Sequence, residues 1–418
     1  MFSKLVIHHW RQFNRVEIDF HRRLTVLTGA NGSGKTTLLH LLNRHWGWDL
    51  KYVSSPPPPE GKESKKYWAG FWGDGDELTS QPSAPRSPNK QPSFRIGELV
   101  YLDGQKANLN VPGEVPEVFD VSIIPRGTVW GVYVPSHRPR YLFQAVSDIP
   151  VKLDAKEQIF ESYRCEVMGR FTGSHHGQSP SYHLKRSLIS LAVFGYGSAA
   201  VEHNEEAIRI FEGFENILRV TLPASLGFKK LKIRVPEVLL VTDTGEISLE
   251  AVSGGIAAVI DIAWQIHMYA QLHDEFVVVI DEPEAHLHPA LQQRLLPDLL
   301  TAFPKAQFVI ATHSPFMVTS VPDSNVYVLN YNAERKVDSA LLDRANKAGS
   351  VDEILMDVLG VPSTIPQWAQ TKIKTIVDEF SKGPRTQESA NQLRTKMSDL
   401  GMGNLFPEVL ATVAEAKP

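Results

Sequence analysis

A single cysteine, Cys165, stands in 418 residues. That scarcity excludes an intramolecular disulfide framework and a cysteine zinc cluster, and Cys165 is expected to be a small core side chain. Long apolar runs are missing as well. No stretch approaches the roughly 18–20 residues that cross a bilayer, and the opening Leu5-Val6-Ile7 is too short for a signal-peptide core. A cytoplasmic protein without membrane contact is the expectation. Charge of one sign is also absent. The net charge is −4, so bulk electrostatics announces no nucleic-acid partner. Basic groups do cluster at Arg22 and Arg23, at Arg138 and Arg140, and at Lys229, Lys230, Lys232 and Arg234. Ordinary solvated surface is the reading for each.

What is present is an ordinary globular composition, 42% hydrophobic and 22% charged, with room for two or three domains or one core carrying insertions. The pattern predicts strands at Leu5–Ile7, Val16–Phe20 and Leu24–Thr28, the last running into a glycine-rich loop and then an apolar helix through Leu38, Leu39, Leu41 and Leu42. From Lys51 to Pro92 four consecutive prolines and a Gly, Ser and Lys bias exclude regular structure. This segment reads as a mobile surface insertion whose Tyr67, Trp68, Phe71 and Trp72 are candidates for docking. Phe94 to Val134 returns to β character. Tyr141 to Val220 turns helical, with Ile208, Phe211, Phe214, Ile217 and Leu218 on one face, and is too short for a long coiled coil. Strands are expected again at Leu231–Val235, Val238–Val241, Phe276–Ile280 and Gln307–Ala311, with helices after Ser253 and from Pro289. The C-terminal stretch reads as helical, opened by a Ser350/Glu353 capping box and continued by Ile373, Ile376, Val377 and Phe380.

Four motifs carry chemistry. Gly29-Ala30-Asn31-Gly32-Ser33-Gly34-Lys35-Thr36 fits G-x-x-x-x-G-K-[ST] completely. Its glycines let backbone N–H groups turn inward around phosphate oxygens. Lys35 would reach the β- and γ-phosphates of ATP, the Thr36 hydroxyl would ligate Mg²⁺, and the following helix, entered through Thr37, adds its positive end. The apolar run Val277–Ile280 ends in Asp281 and Glu282, a buried strand delivering two acids to the sheet edge where ligands bind. Asp281 would hold Mg²⁺ through water, and Glu282 would orient and deprotonate the attacking water. His313 ends another apolar strand and is a candidate for sensing the γ-phosphate. Ser253, Gly254 and Gly255 expose N–H groups at a helix start, a second anion site. Because one phosphate loop is already present, the simplest role for it is contact with a partner's nucleotide. His286 and His288 also admit reading as a metal pair, but a dimer-facing loop explains them as well.

In this order the motifs resemble the ABC-type ATPases of the RecF, SMC and OLD group rather than transporter subunits. Asp281-Glu282-Pro283-Glu284-Ala285-His286-Leu287-His288-Pro289 is similar to that group's run from catalytic acid into the loop touching the other subunit. Trp10-Arg11-Gln12-Phe13 resembles its N-terminal segment, which implies Arg11 near the nucleotide. Ala311-Thr312-His313-Ser314-Pro315 resembles its histidine switch. Val252 and Ile256 depart from the usual signature. No glutamine loop is clear, since Val129–Val134 ends in Pro135-Ser136-His137-Arg138 and Gln144 makes an unconvincing substitute.

The resemblance implies an α/β ABC-type ATPase head, a P-loop mixed sheet with an antiparallel β subdomain, an inserted helical lobe and C-terminal helices. The expected layout is residues 1–50 and 94–140 as the first part of the core, 51–93 as insertion and 141–229 as helical lobe. Residues 230–335 complete the core and 336–418 form a helical tail. Some members of the group add a Toprim nuclease, but no Asp-x-Asp follows Leu329. The implied machine hydrolyses ATP with Mg²⁺ as a dimer of heads, or a higher oligomer built on it. Two readings stay open. One is the sensor subunit of an antiviral system resembling Septu (PtuA), holding an operon-encoded nuclease or toxin. The other is a RecF-like clamp on DNA.

Overall fold

A computed structural model of the chain describes residues 1–56, 69, 82–83, 93–112, 115–138, 141–148, 152–174, 177–343, 349–361, 363–380 and 386–415. Tyr67, Trp68, Phe71, Trp72 and Arg140 lie outside the described residues. Two compact units emerge, Met1–Ile354 and Leu355–Pro418.

The first unit opens with β1 (Phe2–Trp10), β2 (Phe13–Asp19), β3 (Leu24–Gly29) and α1 (Lys35–Asn43). Seven strands follow: β4 (Tyr52–Val53), β5 (Pro82–Ser83), β6 (Ser93–Tyr101), β7 (Lys106–Pro112), β8 (Val118–Phe119), β9 (Ser122–Ile124) and β10 (Gly131–Val134). Three helices, α2 (Lys156–Phe171), α3 (Pro180–Tyr196) and α4 (Glu205–Thr221), form the inserted lobe. An antiparallel trio, β11 (Lys230–Arg234), β12 (Glu237–Thr242) and β13 (Gly245–Ser248), leads into α5 (Gly254–Ala270). The unit then runs through β14 (Phe276–Asp281), α6 (Pro289–Ala302), β15 (Ala306–Ala311), α7 (Pro315–Val318), β16 (Asn325–Tyr331) and β17 (Val337–Leu341).

Most strands join one mixed sheet in the order β10-β14-β15-β3-β16-β17-β2-β1-β6-β7-β9. The first five are parallel neighbours, with Val134 opposite Ile280, Asp281 opposite Ala311, and β3 clasped between β15 and β16. Every residue of β3, β14 and β15 is buried. That is why their sequences read as continuous apolar runs rather than alternating ones. All their carboxyl ends reach one edge, and the candidate site assembles there. The fold is the expected α/β mixed sheet with antiparallel strands and a helical lobe.

Several expectations need correction. Residues 337–341 are strand, not helical tail: β17 pairs antiparallel with β16 and parallel with β2, an alignment made some 320 residues from its partner. Cys165 is exposed rather than core. The phase of α2 turns Tyr163, Glu166 and Val167 inward, leaving Cys165 outside with its Sγ donating to Glu161 Oε1. Two of the basic groups are not solvated surface. Arg23 donates to the carbonyls of Leu300, Phe303 and Ala306 at the end of α6, and Arg138 is buried. Lys229, Lys232 and Arg234 do sit at the surface, paired with Asp243 and Glu246. In the second unit, helices at Gln367–Phe380, Gln387–Asp399 and Phe406–Glu415 close around Ile376, Leu393, Met397 and Val409.

The lobe is joined to α5 by a buried imidazole. His267 Nε2 lies 2.8 Å from the Ile210 carbonyl on α4, so this nitrogen carries the proton. Burial pushes the His267 pKa down to about 4, and the same cause takes His40 and His45 to about 4. A folded pKa below the unfolded value gives stability that is present above about pH 6.5 and lost as pH falls through about 4. His267→Gln, whose amide can still donate to Ile210, is therefore expected to flatten the acid limb. The drop in unfolding free energy between pH 7.5 and 4.5 should shrink by about 2–3 kcal/mol. Denaturant titrations at both pH values check this, and an acid slope equal to the parent's would remove His267 from the account.

Candidate nucleotide and catalytic site

The phosphate loop turns from β3 into α1. Gly34 caps α1 at φ 94°, in the left-handed region that L side chains avoid. A Cβ there would also sit 2.3 Å from Gln12 Nε2 and 2.4 Å from the Phe13 ring. The turn between β1 and β2 thus leans directly on the loop, and it is Gln12 and Phe13 that abut it. Arg11, expected near the nucleotide, is held at φ 54° with its guanidinium over the Tyr52 ring and Nη2 donating to the Val53 carbonyl at 3.1 Å. Ala30, Asn31, Gly32 and Thr36 are exposed, whereas Ser33 and Lys35 are buried. Lys35 Nζ donates to the Gly29 and Ala30 carbonyls at 3.0 and 3.1 Å, inside the loop. Burial lowers its pKa to about 8, opposed by the charges of Asp281, Glu282 and Glu284. Ser33 Oγ is buried without a hydrogen-bond partner. The Thr37 carbonyl accepts from the Tyr52 hydroxyl at 3.4 Å.

The carboxyl ends of β14 and β15 complete the arrangement. Thr36 Oγ1 donates to Asp281 Oδ2 at 3.0 Å, so two oxygen donors stand side by side. Burial raises the Asp281 pKa to about 6, and the neighbouring Glu282 and Glu284 add to the rise against the Thr36 hydrogen bond and Lys35. Glu282 holds φ 46°, and its N–H donates to the Ala311 carbonyl at 2.9 Å. A left-handed non-glycine residue costs on the order of 1–3 kcal/mol and persists only where its surroundings over-determine it. His313 Nε2 lies 3.9 Å from Glu282 Oε1. Burial and the Lys35 charge lower the His313 pKa, which favours a neutral ring able to donate one N–H. Oxygen donors from a hydroxyl and a carboxylate suit a hard divalent ion that keeps water ligands. Among the described residues no group of three or more His, Cys, Asp or Glu side chains forms a dedicated metal cage.

Two residues here escaped the sequence reading. Glu284 is the anchor of the His313 loop: its Oε1 accepts from the His313 backbone N–H at 2.6 Å. Arg138, just beyond β10, donates Nη1 to the Glu282 carbonyl at 3.1 Å and Nη2 to the Asp281 carbonyl at 3.4 Å. Its signal was positional. β10 runs beside β14 in register, so a residue four places past Val134 arrives behind the two acids. Gln144 belongs elsewhere, its Oε1 accepting from Ser179 N at 2.9 Å at the start of α3.

Ser253 caps α5, its Oγ accepting from Ile256 N at 3.4 Å. Ser253 and Gly254 are exposed, and the space beside Gly254 is open. At Gly255 a Cβ would come within 2.8 Å of the His286 carbonyl, so glycine is needed where the loop after Glu282 packs against the helix start. No hydrogen bond among the described residues joins Ser253, Gly254 or Gly255 to this chain's own phosphate loop. His288 caps α6 through Nδ1, which accepts from Ala290 N at 3.3 Å.

Residues 177–319 match the family described as "AAA domain, putative AbiEii toxin, Type IV TA system", and residues 4–46 match "AAA domain". The chain is 25% identical over 289 residues to the Septu protein PtuA of Bacillus mycoides, covering 60% of this chain and 39% of that one. It is 29% identical over 157 residues to PtuA of Bacillus thuringiensis, covering 34% and 40%. The probable ATPase of retron Ec83 from Escherichia coli is 32% identical over 114 residues, covering 25% and 21%. The chain therefore spans about two-fifths of the length of these PtuA relatives. No helix among the described residues is long and apolar enough to cross a membrane. Two stretches of the chain thus match AAA-domain families, and the chain is similar to the Septu PtuA and retron ATPases.

Proposed function

We propose that this chain binds ATP with Mg²⁺, hydrolyses it between two copies of itself, and uses that cycle to control a separate nuclease or toxin in antiviral defence. The observation that carries the reading is the convergence of three strand ends. Thr36 meets Asp281 at 3.0 Å, and Glu282 stands 3.9 Å from His313, beside a buried Lys35. Backbone N–H groups of Gly29 to Gly34 would wrap the phosphates, with Lys35 leaving its carbonyl partners for the β- and γ-oxygens. Thr36 and Asp281 would hold Mg²⁺, which when bound neutralises charge on those oxygens. Glu282 would take the proton of the attacking water, and the neutral His313 ring would donate to the γ-phosphate.

Ser253, Gly254 and Gly255 point the reading towards a second copy. They form an exposed helix start that this chain's own loop does not use, and a helix N-terminus suits a phosphate. The defence role rests on the Septu and retron relatives. A controlled partner follows because ATP-driven closure matters only to something whose affinity differs between the two states.

Lys35→Ala is expected to abolish ATP binding, since the loop loses its one buried cation; equilibrium binding of labelled ATP reads this. Affinity purification of the full chain, expressed with its neighbouring genes, should recover a nuclease or toxin whose activity changes with added ATP. Tight ATP-dependent binding to DNA with a steep salt dependence, and no co-purifying protein, would transfer the assignment to a clamp acting in repair.

A further inference from the structure

Arg138 is a buried cation with no side-chain ion-pair partner in contact among the described residues. Its guanidinium gives two hydrogen bonds, both to main-chain carbonyls, those of Glu282 at 3.1 Å and Asp281 at 3.4 Å. The third guanidinium nitrogen, Nε, is buried and meets no acceptor among the described residues. A charge is not taken out of water for two neutral carbonyls alone. Burial pushes the Arg138 pKa down, and the charges of Asp261, Glu284, Asp281 and Glu282 oppose that fall. Three of these belong to the catalytic edge, and the fourth comes from α5.

Asp261 is as buried as Arg138. One of its oxygens accepts from the Tyr163 hydroxyl of α2, and the other accepts from Gln265 Nε2 at 3.0 Å. Both oxygens therefore have hydrogen-bond partners other than Arg138. Asp261 lies two turns along the helix that Ser253 opens.

We propose that Arg138 is a positioning residue for hydrolysis: it pins the carbonyls of Asp281 and Glu282 and holds Glu282 in its left-handed conformation. The inference rests on the ATPase reading given above. Glu282 at φ 46° is a strained residue whose side chain must reach a water beside the γ-phosphate. Its N–H is fixed by the Ala311 carbonyl, and Arg138 fixes its other peptide group. With one of the two anchors gone, the carboxylate is free to swing. Misplacement by about 1 Å is enough to cost roughly 100-fold in rate. Arg138 contacts no part of the phosphate loop among the described hydrogen bonds, so ATP binding should be spared.

The test uses the full chain. Arg138→Gln keeps one NH₂ group and no charge, and should lower kcat by about 30-fold or more while the Kd of a non-hydrolysable ATP analogue moves less than about threefold. Amide hydrogen exchange at 282–286 should accelerate, with β3 and β15 unchanged. Arg138→Lys should recover part of the rate, because charge and one donor return. Parental turnover and parental exchange in folded Arg138→Gln overturn the proposal. So does equal loss of binding and turnover with exchange raised across the whole sheet, the mark of a merely structural role. Should Arg138→Gln fail to fold, Arg138→Lys decides, and fully parental turnover and exchange in that variant overturn the proposal. A parent chain that turns over no ATP would sink the ATPase reading instead, while exchange at 282–286 would still decide Arg138.

Discussion

Glu282→Gln is expected to leave ATP binding intact and to lower turnover by about 100-fold or more. Glutamine matches glutamate in size but cannot accept the proton that the attacking water must lose. The frame around the residue is unaffected by the exchange. The N–H bond to Ala311 and the carbonyl bond from Arg138 both belong to the main chain, so the left-handed turn survives. Lys35, Thr36 and Asp281 keep their places, and with them the groups proposed for phosphate and Mg²⁺. One negative charge disappears beside Lys35, where Glu282 supports the charged ammonium. ATP affinity should accordingly rise or hold. Steady-state phosphate release and equilibrium binding of labelled ATP measure the two halves separately. Hydrolysis by the glutamine protein at the parental rate would strip Glu282 of the role of base.

Much of this site was legible because its parts are local in sequence. A phosphate loop needs its glycines, lysine and threonine in one unbroken run, and the strand feeding it must be apolar on both faces. The same holds for Asp281 and Glu282 at the end of β14, and for His313 after β15. What escaped depends on burial and distant pairing. Arg138 looks like any basic surface residue until the register of β10 on β14 brings it behind the acids. Glu284 looks like one more acid in an acidic run until its carboxylate takes the His313 N–H. β17 carries weak alternation of its own, and its place is set by β16 and by β2, near the other end of the chain. Cys165 shows the opposite failure. A residue type that is usually buried sits outside because the inner face of α2 is already filled by Tyr163, Glu166 and Val167.

Ser253→Arg is expected to abolish hydrolysis while sparing ATP binding, and mixing it with Lys35→Ala protein should restore activity. The geometry makes the first half a clean experiment. Ser253 is exposed and the space beside Gly254 is open, so an arginine side chain can extend outward without disturbing its own fold. The cost within the chain is the cap to Ile256 N, about 1 kcal/mol. Ser253→Ala removes the same cap without adding bulk, and serves as the control for it. If the helix start of one copy faces the phosphate loop of the other, the two defects fall on opposite sides of each site. A mixed dimer then pairs the intact loop of the Ser253→Arg chain with the intact Ser253, Gly254 and Gly255 of the Lys35→Ala chain. Random assortment puts half the subunits in mixed dimers with one working site of two, so about a quarter of parental activity should return. ATP held by Glu282→Gln protein should also shift the chain towards dimer in sedimentation. Val252 and Ile256 bear on the outcome, since Ile256 is buried and donates its N–H to the Ser253 cap. It therefore fixes the helix start from inside and leaves Ser253 to face the partner. Mixed dimers that form, fold and remain inactive would show that Ser253 does not act across the interface.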